Sequence, residues 1–243
     1  MIVVPSPTVA RPVMLHRWRD LTFVHWRYPV EVVQRLLPPG LTVEAYEGSA
    51  WVGLIPFLMD DVRPPGLPAA PWLSRFAETN VRTYVRGPDG QAGIWFFSLD
   101  AARLPAVLGG RLGYGLPYRW STMSVQHTDD QYIYRCRRRW TGPVGARADA
   151  TVRVGARLTD REIGPHEHFL TARFRLYGRF AGRLVTAEAG HPPWPLHRAE
   201  LTYLDQDVIE AAGLPQPDHD PLVLASPGVA VRIGMWTRAT ESR

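Results

Sequence analysis

The stretch FAETNVRTYVRGPDGQAGIWFFSLD, residues 76–100, decides the fold. Residues 79–86 alternate along the chain, 87–90 carry the Gly, Pro and Asp of a turn, and 93–99 alternate back. That pattern predicts a β-hairpin. Glu78, Asn80, Arg82 and Tyr84 share one parity, so they share one face of a strand. If Glu78 points inward, Asn80 and Tyr84 become polar candidates for a pocket. Arg82 on that face would be costly to bury without a partner, unless a bulge turned it outward.

Outward from the hairpin, the same period recurs. Residues 21–27 (LTFVHWR) read as a strand, and Pro29 opens a short helical pattern that Pro38, Pro39 and Gly40 stop. Two strands over 41–60 join near Gly48. The Pro- and Gly-rich segment 61–71 reads as a loop long enough to cover a site. A short helix over 101–108, with Asp100 as its cap, follows the hairpin. Strands are predicted over 121–126, 132–140, 148–156, 169–177 and 184–188, the last two placing Arg173 and Arg175 on a wet face. A stiff HPPWPLH segment leads to a further strand. A helical turn over 208–212 stops at Gly213, and strands over 222–225 and 229–236 close the chain. Many short strands, few helices and no βαβ rhythm predict a mainly β (α+β), mostly antiparallel, barrel-like single domain over 1–243, with residues 1–15 as a strap.

Composition excludes several functions. All 28 cationic residues are arginine and none is lysine. No side chain can form a Schiff base, so covalent pyridoxal phosphate and lysine-dependent decarboxylase or aldolase chemistry are excluded; only a terminal amine at Met1 remains. A net charge of +5 over 243 residues is modest for nucleic-acid binding, and only Arg137, Arg138 and Arg139 form a block. No apolar run reaches the roughly 20 residues of a membrane helix and no signal peptide is visible. The single Cys136 suits a reducing, cytoplasmic setting and reads as a buried strand residue. Dinucleotide, phosphate-loop and serine-elbow motifs are absent, so no cofactor is expected. His166 and His168 in GPHEHF could face one side of an extended loop and bind zinc, but spacing positions no third ligand, so no metal is expected.

The segments RDLTFVHWRYPVEVVQRLLPPGLTVE, FAETNVRTYVR, HPPWPLHRAEL and SPGVAVRI together resemble the uncharacterised DUF2071 or YqjF-like family, related more distantly to acetoacetate decarboxylase. The resemblance runs from about residue 15 to residue 236. It implies a conical, mostly antiparallel β-barrel with a few peripheral helices around an internal pocket. It also implies that Arg27 matches the arginine after the enzyme's first core strand, and Glu78 its pocket glutamate. Pro117 precedes the place of the enzyme's lysine pair, where this chain carries Tyr118 and Arg119. Arginine stays protonated and is a poor nucleophile, so the chain departs from the decarboxylase pattern at the residue that performs its chemistry.

These residues suggest a pocket in which Arg27 or Arg119 clamps a carboxylate or phosphate and Glu78 orients the second arginine or moves a proton. A structural Arg–Glu pair is the plainer alternative. Tyr118, Asn80 and Tyr84 are further ligand candidates, and Trp194 reads as a wedge against the barrel or as pocket wall. The expected partner is a small anionic, partly apolar molecule, and aromatic content would allow a homodimer. Two rivals remain open: an enzyme using Glu, Tyr or His acid–base chemistry, and an interaction protein with a vestigial pocket. A deep cavity favours binding or catalysis; a centre filled with side chains favours the last.

Overall fold

A computed structural model describes residues 8–240. Of the expected N-terminal strap, residues 1–7 lie outside the described residues, and Met14 already belongs to the first strand. The elements are β1 (Met14–Tyr28), α1 (Val30–Gln34), β2 (Thr42–Val43), β3 (Ala50–Arg63), β4 (Phe76–Arg86), β5 (Ala92–Ala101), α2 (Leu104–Tyr114), β6 (Tyr118–His127), β7 (Gln131–Trp140) and β8 (Ala148–Arg157). They continue with α3 (Pro165–Thr171), β9 (Arg175–Phe180), β10 (Arg183–Gly190), β11 (His197–Gln206), a 3₁₀ turn (Glu210–Ala212), β12 (Leu222–Ile233) and β13 (Thr237–Arg238).

The strands form one sheet in the order β13-β10-β9-β5-β6-β7-β8-β11-β12-β1-β3-β4-β2. Two further pairings, β10 with β12 and β4 with β5, close the sheet on itself. Most pairings are antiparallel. The exceptions flank β5, which runs parallel to β6 on one side and to β9 on the other.

Strands β1, β3 and β4 carry the architecture because both of their faces are covered. One face turns Phe23, Ile55, Phe57 and Tyr84 into the core inside the closed sheet. The other packs Val24, Val52, Leu54 and Val81 against Val33 of α1, Cys136 of β7 and Ile209. That double burial explains why these strands read as nearly continuous apolar runs.

Several local expectations are corrected. Asp100 does not cap a helix. It ends β5, where Arg138 grips it through Nε–Oδ1 at 2.8 Å and Nη2–Oδ2 at 2.7 Å, and Ser121 Oγ donates to Oδ1 at 2.7 Å. Arg138, the middle arginine of the block, is therefore buried. The helix that follows starts later and runs longer, taking in Gly109, Gly110 and Gly113. GPHEHF is not an extended loop: Pro165 starts α3, and Glu167 Oε2 accepts from the Gly164 N–H at 2.8 Å, a one-sided cap because glycine has no side chain to return a bond. Arg173 is not on a wet face; its guanidinium is buried against Glu44 and its Nε donates to the Phe169 carbonyl. The final strand is one unit rather than two, because Gly228, at φ 122°, passes so close to β1 that a Cβ there would lie 1.9 Å from the Trp18 carbonyl oxygen.

Candidate functional site

A cavity of about 230 Å³ lies inside the closed sheet. Its walls come from the inner face of β3, β4 and β5, from α2, and from the segment carrying His191 and Trp194. Strand β4 supplies the polar stripe. Glu78 pairs with Phe57 across β3 and with Ala101 across β5; Asn80 pairs with Ile55 and Leu99; Arg82 pairs with Gly53 and Phe96. The irregularity in this ladder falls in β5, opposite Val81 and Arg82, and leaves β4 regular. Strand parity is therefore kept, and Glu78, Asn80 and Arg82 all line the cavity.

Glu78 is only 2% exposed and accepts a hydrogen bond from the Tyr118 hydroxyl at 3.0 Å. Burial pushes its carboxyl up to about 8; the Tyr118 bond opposes that rise and the Asp100 charge adds to it. At neutral pH this group is therefore mostly protonated and can donate as well as accept. Tyr118 reaches it because β6 starts beside β5 and its ring lies against Gly110 of α2. A Cβ at Gly110 would come within 2.3 Å of that ring. Burial and the neighbouring carboxyl hold the Tyr118 phenol well above its ordinary range.

Arg82 is 5% exposed. Its Nη2 donates to the Leu170 carbonyl at 3.2 Å and to Tyr84 Oη at 3.4 Å, and its guanidinium lies over the rings of Phe23 and Tyr84. Its Nε has no protein partner, and no carboxylate among the described residues pairs with it. Other buried polar atoms without partners also belong to cavity-lining residues: Asn80 Oδ1, His16 Nδ1, Trp18 Nε1 and Trp236 Nε1. Burial lowers His16 to about 4, so its imidazole is neutral at physiological pH. Trp18 stacks on Trp194 at 6.1 Å, and Trp194 meets Phe23 edge-on at 5.2 Å, so Trp194 is both wedge and wall.

The structure does not bring the other expected residues to this cavity. Arg27 is exposed beside a separate cavity of about 280 Å³ lined by His25, Glu47, Trp51, His166 and His219, and its backbone N–H donates to His219 Nε2 at 3.2 Å. Arg119 follows Tyr118 on a strand and so points the other way, where its Nη1 donates to Thr141 Oγ1 at 2.5 Å. Tyr84 faces inward but is fully engaged: it donates to the Leu170 carbonyl at 2.6 Å and meets His25 Nε2 at 2.6 Å. His166 stacks on Tyr46 at 4.6 Å, and no cluster of three or more His, Cys, Asp or Glu among the described residues could hold a metal ion. Residues 64–71 of the predicted loop do not line the cavity; just beyond them the Arg103 Nε donates to the Trp72 carbonyl at 2.9 Å and holds the segment against the start of α2. A larger concavity, about 1020 Å³, is an open groove beyond α3, where Arg173 is already paired with Glu44. No helix among the described residues is long and apolar enough to cross a membrane.

The mostly antiparallel sheet closed around a cavity is similar in fold to solved acetoacetate decarboxylase-like proteins. Acetoacetate decarboxylase from Legionella pneumophila superposes with a TM-score of 0.68 at 14% identity, over 99% of this chain and 92% of that one. An acetoacetate decarboxylase-like enzyme from Sphingomonas wittichii RW1 gives 0.67 at 15%, over 98% of each chain. The enduracididine biosynthesis enzyme MppR, solved with pyruvate, gives 0.66 at 15%, over 97% of this chain and 93% of that one. At such identities the likeness is one of fold. The chain belongs to the DUF2071 family, described as an uncharacterized conserved protein, whose model matches residues 16–230. The uncharacterized protein YqjF of Bacillus subtilis (strain 168) is 34% identical over 211 residues, 87% of this chain and 86% of that protein.

Proposed function

We propose that this protein binds a small, partly apolar carboxylate in the central cavity, with Arg82 as the anion-binding group. One observation carries the reading. Arg82 is a buried cation without a carboxylate partner, on the wall of a cavity that also collects the unpartnered atoms of Asn80, His16, Trp18 and Trp236. A buried charge is costly unless something pairs with it, and a guanidinium pairs best with a planar carboxylate. The apolar wall of Ile55, Phe57, Phe96 and Leu99 takes the rest of the molecule. With no lysine in the chain, binding proceeds without a side-chain imine. The Glu78–Tyr118 pair is where acid–base chemistry would act on such a ligand.

Isothermal titration with medium-length aliphatic carboxylates and their matched alcohols tests this. The carboxylates bind, the alcohols do not, and Arg82→Met abolishes binding while still folding. Equal binding of acids and alcohols, or unchanged binding by Arg82→Met, would sink the reading.

A further inference from the structure

We propose that the ligand of the central cavity is an oxo acid whose carbonyl lies several carbons from its carboxylate, with the carboxylate at Arg82 and the carbonyl at Glu78. This rests on the reading that Arg82 takes the carboxylate, and it adds the chemistry and length of the rest of the molecule.

The spacing comes from the strand. Four residues of antiparallel strand at ~3.4 Å each place the Cα atoms of Glu78 and Arg82 about 14 Å apart. Strand side chains stand roughly perpendicular to the sheet, so the two head groups keep most of that separation. Arg82 widens it, because its Nη2 reaches onward to Tyr84 Oη and the Leu170 carbonyl, away from Glu78. A 2-oxo or 3-oxo acid carries both oxygen functions at one end and leaves the other head group of the cavity unused.

The chemistry of the far end follows from the Tyr118 bond. Tyr118 donates to Glu78 Oε2, so a protonated Glu78 presents its own O–H from Oε1 as a donor. The ligand group that fits is a neutral acceptor, and a second carboxylate would be repelled once Glu78 ionised. Between the ends, β3 and β5 present the apolar Ile55, Phe57, Phe96 and Leu99 beside the polar Asn80 of β4. The volume of about 230 Å³ leaves room for a small organic acid rather than a lone water.

Titration calorimetry with 6-oxoheptanoate, its isomer 2-oxoheptanoate, and heptanoate tests the proposal, because the three acids bury nearly the same apolar area. At about pH 6.5 the 6-oxo acid is expected to bind roughly tenfold more tightly than the other two. That advantage should vanish at about pH 9.5, where Glu78 has lost its proton. Glu78→Gln, whose amide donates at any pH, should keep the advantage at both pH values. If 2-oxoheptanoate binds as tightly as the 6-oxo isomer, or heptanoate does, the separated-head arrangement is wrong while Arg82 keeps its role. If none of the three binds, the carboxylate reading fails and this inference falls with it.

Discussion

The Arg82 guanidinium sits 3.2 Å from the Leu170 carbonyl oxygen and finds no carboxylate among the described residues, whereas Arg138, equally buried, is gripped through two bonds by Asp100. The two arginines should therefore respond oppositely to loss of charge. Arg138→Met strands the buried Asp100 carboxylate and should cost about 3–5 kcal/mol. For a chain of this size that is a fall in Tm of roughly 6–20 °C. Arg82→Met removes a cation with no counter-charge and should melt within about 2 °C of the parent, or above it, without ligand. Scanning calorimetry of the two variants decides this. A fall at Arg82→Met as large as that at Arg138→Met would make Arg82 a structural residue.

Glu78 makes stability depend on pH in a defined direction. Its carboxyl titrates near 8 in the folded chain and near 4.5 when unfolded. Between those values the folded state holds a proton that the unfolded state has released, so stability falls as pH rises from about 4.5 to about 8 and then levels off. Glu78→Gln keeps an oxygen for the Tyr118 hydroxyl and has nothing to titrate. Its Tm should therefore gain on the parent steadily from pH 5 to pH 8. His16, lowered to about 4, tilts the acid side the other way, but equally in both proteins, so it cancels in the difference. Parallel Tm curves across that range would show that Glu78 does not carry the raised pKa.

The hairpin of β4 and β5 was legible because period-two alternation and a Gly-Pro-Asp-Gly turn are local signals. Parity placed Glu78, Asn80, Arg82 and Tyr84 on one face, and the fold keeps them there. What parity could not supply was the choice among arginines. Arg82 reads as too costly to bury, and its cost is softened by groups far away in sequence: the carbonyl of Leu170, the ring of Phe23, and the cavity itself. Arg27 and Arg119 looked better placed because the resemblance matched them to the enzyme's core-strand arginine and to the place of its lysine pair, yet one lies near the end of β1 and the other points away from Tyr118. The Arg138–Asp100 pair was hidden for the same reason, since it joins strands 38 residues apart in the chain. For α3, the Pro at its start and the Glu three residues after Gly164 are a local helix-start signal, against which the two-residue spacing of His166 and His168 reads as extended chain.

Gly110 offers a test in which helix propensity and packing predict opposite signs. In an exposed helix interior, alanine in place of glycine stabilises by about 1 kcal/mol. Here Gly110 is buried in α2, and a Cβ would meet the Tyr118 ring at 2.3 Å and 2.5 Å. The ring is held in turn by the Glu78 bond and cannot yield without losing it. Overpacking of this kind costs about 1–3 kcal/mol, enough to cancel or reverse the propensity gain. Gly110→Ala should therefore be destabilised, and its Tyr118 should move off Glu78. Losing the hydroxyl that holds Glu78 down drives the carboxyl still higher, so the pH-dependent fall in stability should extend beyond pH 8. A control at Gly109, where a Cβ meets nothing within 4 Å, should show the ordinary gain of helix propensity instead. Denaturant unfolding of the two variants at pH 7 and pH 9 separates the cases. Equal stabilisation by both alanines would mean that the Tyr118 ring is free to shift and that Glu78 is not positioned by it.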